Sequence, residues 1–368
     1  MERIKNKLAF GCMRLPMIGG KVDDKQFCEM TDTFIANGFN YFDTAHGYIG
    51  GQSETSIRTC LTSRHDRSEY LLTDKLTENY FEKQEDIVPF FESQLKLCGV
   101  DYFDFYLLHA QGAGNYPKFQ RCHAYETAYK FKEQGKIRHF GISFHDRAEV
   151  LEQILTDHPE IEVVQIQFNY LDYNDPAVQS RKCYDVCRKY GKKVLVMEPV
   201  KGGSLANLPA EAEAILNALG GGSPASYAIR FVAEHEDIIA VLSGMSTIEQ
   251  MKDNISYMKD FKPLTKEEHE AIDKVVAVMH GKHIIPCTAC RYCVAGCPMH
   301  IAIPDLFSCK NAKELYRDWN SGMYYDITTR SGGGKAGSCI KCGRCERVCP
   351  QHLPIRDLLI QLAEEFER

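Results

Sequence analysis

From residue 7 to about 260 the chain alternates between two hydrophobic periods. Short runs rich in β-branched and aromatic residues read as strands: KLAFGCM, FNYFDTA, EYLLTDK, YFDFYLLH, IRHFGIS, EVVQIQFNY, KKVLVMEP and DIIAVLSGM. Between them lie longer stretches with apolar residues at helical spacing, for instance 24–37, 85–97, 147–156 and 176–190. Within YLL, FYLL and VVQI the apolar run is nearly continuous, as a parallel strand covered on both faces requires. Eight strand–helix pairs over this length predict an α/β domain, a (β/α)8 TIM barrel over residues 1–282.

A further helical stretch follows, KPLTKEEHEAIDKVVAVMHG. Thr265 is its N-cap and Glu268, three residues on, completes a capping-box spacing. Gly281 is the expected C-cap. The domain boundary is therefore placed between 282 and 283. The remainder, 283–368, carries helix-like pieces at 303–319 and 353–368 around a glycine-rich stretch, SGGGKAGS.

Composition narrows the function classes. The formal net charge of −6 argues against a nucleic-acid partner, which rewards a basic face. An apolar run of about 18 residues is lacking, so no membrane span is expected. The N-terminus, MERIKNKLAFG, lacks the apolar core of a secretory signal. Of the 16 cysteines, eight fall in two tight groups after residue 286. Cys12, Cys28, Cys60, Cys98, Cys122, Cys183, Cys187 and Cys309 are scattered. That many thiols point to a reducing, cytoplasmic setting and to metal ligation.

The grouped cysteines are the most specific motif. Cys287, Cys290, Cys293 and Cys297-Pro298 are followed by Cys339, Cys342, Cys345 and Cys349-Pro350 at identical spacing. This is the bacterial ferredoxin run, twice, and it predicts two [4Fe-4S] clusters. Three close thiolates face one cube, and the fourth cysteine of each run ligates the other. The expected sets are Cys287, Cys290, Cys293 and Cys349, and Cys339, Cys342, Cys345 and Cys297. Zinc is the competing reading for paired CxxC steps. The third step and the repeated Cys-Pro disfavour it. The long link between the runs, with helical text around it, resembles an α-helical ferredoxin. Cys309 reads as a small core side chain.

In the barrel the chemistry is expected at the C-terminal strand ends. Asp43 and Tyr48 flank the second strand end, Lys75 ends the third and His109 the fourth. Singly, each is more often structural than catalytic. Together at consecutive strand ends they make a set suited to acid catalysis. Tyr48 is the proton donor, Lys75 is expected to lower its pKa, Asp43 holds Lys75, and His109 orients a substrate oxygen. His46 and His145 are expected at the same mouth. The GAGNYPKF text, with Tyr116 and Phe119, falls where a barrel loop shapes its pocket.

These residues, with GCMRL, FDTAHGY, TDK, LLH, GIS, VVQIQ and SGMSTIEQMKDN, resemble the aldo/keto reductase family over roughly residues 7–260. The resemblance implies hydride transfer between a nicotinamide and a carbonyl or alcohol substrate. It assigns Ser143 and Gln165 to the carboxamide of the cofactor and Asn254 to its adenine. Met197 stands where relatives stack an aromatic ring on the nicotinamide, and Phe144 where they often carry Asn. Gly244, Met245 and Gln250 replace the cationic clamp of NADPH-specific relatives, so NADH and NADPH both stay open. Lys201 and Arg230 are candidate substitute cations. Three functional readings follow. The clusters wire a reductase to an external ferredoxin or similar partner; they are structural or oxygen-sensing beside a plain reductase; or the barrel is a docking scaffold for an electron-transfer protein.

Overall fold

Eight parallel strands close on themselves, each hydrogen-bonded to the next in chain order, and the last returns to the first. They are β1 (Leu8–Gly11), β2 (Tyr41–Asp43), β3 (Leu71–Leu76), β4 (Phe103–Gln111), β5 (Ile137–Phe144), β6 (Val163–Gln167), β7 (Lys193–Met197) and β8 (Ile238–Ser243). Closure is seen in the register, where Leu8 pairs with Val241 and Ala9 with Tyr41. All eight expected strands are present. The computed structural model describes residues 1–175, 178–281, 284–316, 321–330 and 333–367. The expected 282/283 boundary, parts of the 303–319 and SGGGKAGS stretches, and residue 368 lie outside the described residues.

Side chains alternate across each strand, so half of every strand fills the barrel interior. Ala9, Tyr41, Leu71, Phe105, Leu107, Val163, Leu195 and Leu242 form that core. Gly141 on β5 is required by it. A Cβ there would lie 2.3 Å from the Val163 carbonyl oxygen and 2.9 Å from Leu107 Cδ2.

The chain forms two compact units. The first is 1–175, 179–199 and 225–264. The second is chiefly Val200–Pro224 with Thr265–Arg368. Within the second unit the helix Ala210–Asn217 packs on Lys266–His280. The latter begins with the anticipated capping box: Glu268 N–H donates to Thr265 Oγ1 at 3.2 Å, and Thr265 N–H to Glu268 Oε2 at 2.7 Å. Gly281 is its C-cap. Ile301, Ile303, Leu306, Phe307, Cys309, Tyr325, Leu353, Ile355 and Leu359 form the apolar core of this unit. Among the described residues no helix is long and apolar enough to cross a membrane.

One expectation is corrected. Cys28 and Cys60 are not separate thiols but a disulfide, with Cα atoms 4.5 Å apart. The helix Asp24–Ala36 packs on the turn Arg58–Thr62, which brings the two side chains together from distant positions.

Candidate active site and cluster centre

Lys75 is fully buried at the end of β3, and each of its three ammonium hydrogens has a partner. Nζ donates to Asp43 Oδ1 at 2.6 Å, to the Thr44 carbonyl at 2.7 Å and to Tyr48 Oη at 3.2 Å. A buried cation is tolerated only with such pairing. The second Asp43 oxygen accepts from Gln165 Nε2 at 3.0 Å. Asp43 thus sits between β3 and β6, and Lys75 cannot swing away without orphaning a buried carboxylate. The rings of Tyr48 and His109 meet edge to face, centroids 6.0 Å apart. The four residues picked from the strand ends therefore stand together.

The electrostatics differ from expectation in one respect. Burial, and then the negative charges of Asp43 and Asp74, push the Tyr48 phenol well above its ordinary value. The Lys75 contact does not overcome them. Tyr48 is a protonated phenol whose oxygen already accepts from Lys75, so its own hydrogen is available for another acceptor. Burial, followed by the Lys75 charge, holds His109 well below the usual imidazole range. It is neutral, with one N–H and one bare nitrogen. Thr77 Oγ1 lies 2.6 Å from His109 Nδ1. When the hydroxyl donates to Nδ1, the proton resides on Nε2, which can then donate to a substrate oxygen. Thr77 was missed in the sequence because a threonine just past a strand end carries no pattern.

On the opposite face of β3 a second polar group is buried. Oxygens of Glu54 and Asp74 and the Cys98 sulfur lie within 4.8 Å of one another. Burial raises the Glu54 carboxyl to about 7 and Asp74 well above the carboxylate range, the latter also through the charge of Glu54. His46 Nδ1 is 2.6 Å from Glu54 Oε2, and its ring packs edge-on against Tyr80 and Phe90. His46 is thus engaged with this group. Tyr116 and Phe119 are also turned inward: both are buried in the helix Tyr116–Arg121, and Tyr116 Oη donates to Asp157.

The residues assigned to a nucleotide fall along neighbouring strand ends. Ser143 and Gln165 are register partners on β5 and β6. Ser143 Oγ accepts from the Ala110 N–H at 2.7 Å, which leaves its own hydrogen to give. Met197 closes β7, packed on the barrel core. Asn254 Oδ1 accepts from Ser243 Oγ at 2.7 Å, and Gln250 Oε1 from the Ser246 N–H at 2.7 Å. Gly244 lies under a cation the sequence did not single out: a Cβ there would be 3.2 Å from Arg14 Cδ. The two substitutes considered earlier are engaged elsewhere. Arg230 donates to the carbonyls of Lys262 and Pro263, and Lys201 to Gln351.

In the second unit the two cysteine runs have the same backbone. Left-handed residues recur at equivalent positions, Ala289 and Lys341, Arg291 and Gly343, His300 and His352. Each run then enters a four-residue helix, Tyr292–Ala295 and Arg344–Arg347. Non-glycine residues hold this conformation only where surroundings dictate it. Here it curls the loops around their sulfurs. Ile301 N–H points to Cys297 Sγ and Lys341 N–H to Cys339 Sγ, both at 3.4 Å. Cys297, Cys339, Cys342 and Cys345 line one cavity, walled by Ile301, Ile303 and Leu359, and among the described residues no carboxylate or imidazole lines it. Burial, then the charges of Cys290, Cys287 and Cys349, push the Cys293 thiol up to about 12. Cys349 of the second run thus stands beside the first three. A donor set of thiols alone, crossed between runs and met by backbone N–H groups, fits an iron–sulfur cube.

Comparison with known proteins follows the same division. Residues 7–277 match the model of the aldo/keto reductase family, and residues 286–354 that of a 4Fe-4S dicluster domain. The NADH-specific methylglyoxal reductase of Escherichia coli is 25% identical over 282 residues, covering 63% of this chain and 83% of that protein. The holo form of an aldo-keto reductase from Bacillus halodurans superposes with a TM-score of 0.58 at 26% identity, covering 73% of this chain and 91% of the other. An aldo-keto reductase from Klebsiella pneumoniae in complex with NADPH has a TM-score of 0.60 at 21% identity, covering 73% and 90%, a likeness of fold.

Proposed function

Since the chain belongs to the aldo/keto reductase family of NAD(P)-dependent oxidoreductases and carries a 4Fe-4S dicluster domain, we propose that it transfers hydride between a nicotinamide and a carbonyl or alcohol carbon at Tyr48, Lys75, Asp43 and His109, with its two clusters in electron transfer. The observation that carries this is the triple hydrogen bonding of Lys75, which leaves the Tyr48 proton as the one to give.

A nicotinamide bound at the barrel mouth would supply the hydride. His109 Nε2 donates to the carbonyl oxygen and sets its position. As negative charge grows there, Tyr48 releases its proton to it, and the Lys75 ammonium stabilises the phenolate left behind. Asp43 holds Lys75 in place. In the alcohol direction the same groups run backward. Ser143 and Gln165 would hold the carboxamide of a bound nicotinamide, Met197 would pack on its ring, and Gly244, Gln250 and Asn254 would serve the adenine end. Arg14 is the cation nearest Gly244, so a 2′-phosphate would be read by Arg14. The E. coli relative is named for NADH, the Klebsiella structure for NADPH.

Clusters held by the two cysteine runs would supply single-electron transfer to or from an external carrier, in the cytoplasm, where the Cys28–Cys60 bond would face reduction. A structural role for the clusters is the second reading, favoured by the packing of Cys293 and Cys345 into the apolar core of their unit.

The test is anaerobic iron and sulfide analysis with EPR of dithionite-reduced protein, followed by NAD+ or NADP+. Two coupled signals that fade as reduced nicotinamide forms support the electron-transfer reading. Signals that persist beside carbonyl reduction with added nucleotide support the structural one. Zinc in place of iron sinks the cluster assignment.

A further inference from the structure

We propose that the exposed rim of the second cysteine run, from Ile340 to Val348, is the docking surface for an acidic one-electron carrier protein. The proposal deepens the reading that Cys297, Cys339, Cys342 and Cys345 hold a cluster, and rests on it. Of the eight run cysteines, Cys342 is the exposed one. An electron enters where the path through protein is shortest, so this is the face a carrier must reach.

The surface around Cys342 has the makeup of a contact. Ile340 is 61% exposed and Val348 48%, large apolar side chains that a solvated loop has no reason to present. Ile360, 39% exposed, adds a third from the terminal helix Ile355–Phe366. A groove beside them is lined by Cys339, Lys341, Arg356, Ile360 and Glu364.

Charge selects the partner. Lys341, Arg344 and Arg347 are all exposed on this rim. Its one acid, Glu346, is neutralised by Arg356, whose Nε and Nη2 reach Glu346 Oε2 at 2.8 and 2.7 Å. Gly343 leaves room over the loop: a Cβ there would lie 3.8 Å from Arg347 Nη1 and 4.0 Å from Arg356 Nη1. A basic, apolar-centred rim on a chain of net charge −6 complements an acidic protein. Nucleic acid would use the cations but gain nothing from Ile340 and Val348. The transfer balances simply. The reduced carrier loses one electron and the cluster gains it, with no bond or proton exchanged.

The test uses the full-length, anaerobically prepared holoprotein. Its probes are an acidic 2[4Fe-4S] ferredoxin, a basic c-type cytochrome and a single-stranded DNA oligonucleotide. Binding is measured by calorimetry at low and high salt, and cluster reduction by rapid-freeze EPR. The acidic ferredoxin is expected to bind with an affinity that falls steeply with salt. Arg347→Glu and Val348→Asp are each expected to weaken it about tenfold at low salt, while leaving the dithionite-reduced EPR signal intact. Salt-insensitive binding, unchanged affinity in both variants, or equally tight binding of cytochrome or DNA overturns the docking surface and spares the cluster reading. Wild-type protein without cluster signals overturns both. Should a variant lose its cluster, salt dependence and probe preference of the wild type still decide.

Discussion

The barrel mouth and the cysteine loops are finished by different means. At the mouth each polar group is answered by another side chain or backbone group: Lys75 by three acceptors, Asp43 by Lys75 and Gln165, His109 by Thr77. In the second unit the thiols converge on a shared space and on each other's charge. The first region is preorganised by its own hydrogen bonds. The second has its loops bent into left-handed turns that repeat at equivalent positions of the two cysteine runs. One chain therefore holds a side-chain set joined by its own hydrogen bonds and a thiol set suited to a bound group.

Iron removal gives the largest contrast. Anaerobic chelation is expected to abolish cooperative melting of the second unit while the barrel transition survives in calorimetry. Loss of both transitions, or of neither, breaks the distinction. Tyr48→Phe is the converse, with carbonyl reduction expected to fall about 10²–10⁴-fold. Cluster EPR and both melting transitions should stay in place; residual activity near wild type would remove Tyr48 as the proton donor. Gly141→Ala forces a methyl onto the Val163 carbonyl and is expected to cost about 3 kcal/mol of barrel stability, read by denaturant melts.

Smaller effects probe the tautomer and the buried acids. Thr77→Val is expected to lower kcat/KM about tenfold, worth about 1.4 kcal/mol, with Thr77→Ser restoring it. In 15N spectra the valine variant should shift the His109 proton away from Nε2. Glu54 has the weakest signature. Its folded pKa is raised to about 7, so the protonated form favours the fold. That stability is complete below the unfolded carboxyl pKa and is lost as pH rises through 7. Barrel stability should therefore fall between pH 5 and 8, by at most about 1.4 kcal/mol per unit from this group. Glu54→Gln should flatten the slope; an unchanged slope would place the proton elsewhere.

Much of this was legible in the chain. The eight strands announced themselves because parallel strands buried on both faces need unbroken apolar runs. Asp43, Tyr48, Lys75 and His109 could be grouped in advance because barrel strand ends converge wherever they fall in sequence, and their side chains do lie together. The capping box of Thr265 and Glu268 is local chemistry and was read directly. What escaped depends on packing between distant segments. The Cys28–Cys60 bond, the cover of Gly244 by Arg14 and the turn of His46 toward Glu54 have no short-range signature. The Tyr48 pKa was misjudged because its neighbour Lys75 was visible while the burial around both was not.

The interleaving of the second unit bears on synthesis. Val200–Pro224 leaves the ribosome well before Thr265–Arg368, with which it packs. Gly202 fits against the backbone of Thr288, too close for any Cβ, and Lys201 pairs with Gln351 near the far end of the chain. Strands β1 to β7 can begin to assemble as they emerge. The segment after β7 meets its helical partner only once residue 280 has been made, and Lys201 meets Gln351 later still. A nascent chain paused in that interval would be the form for chaperones and iron–sulfur delivery factors to meet.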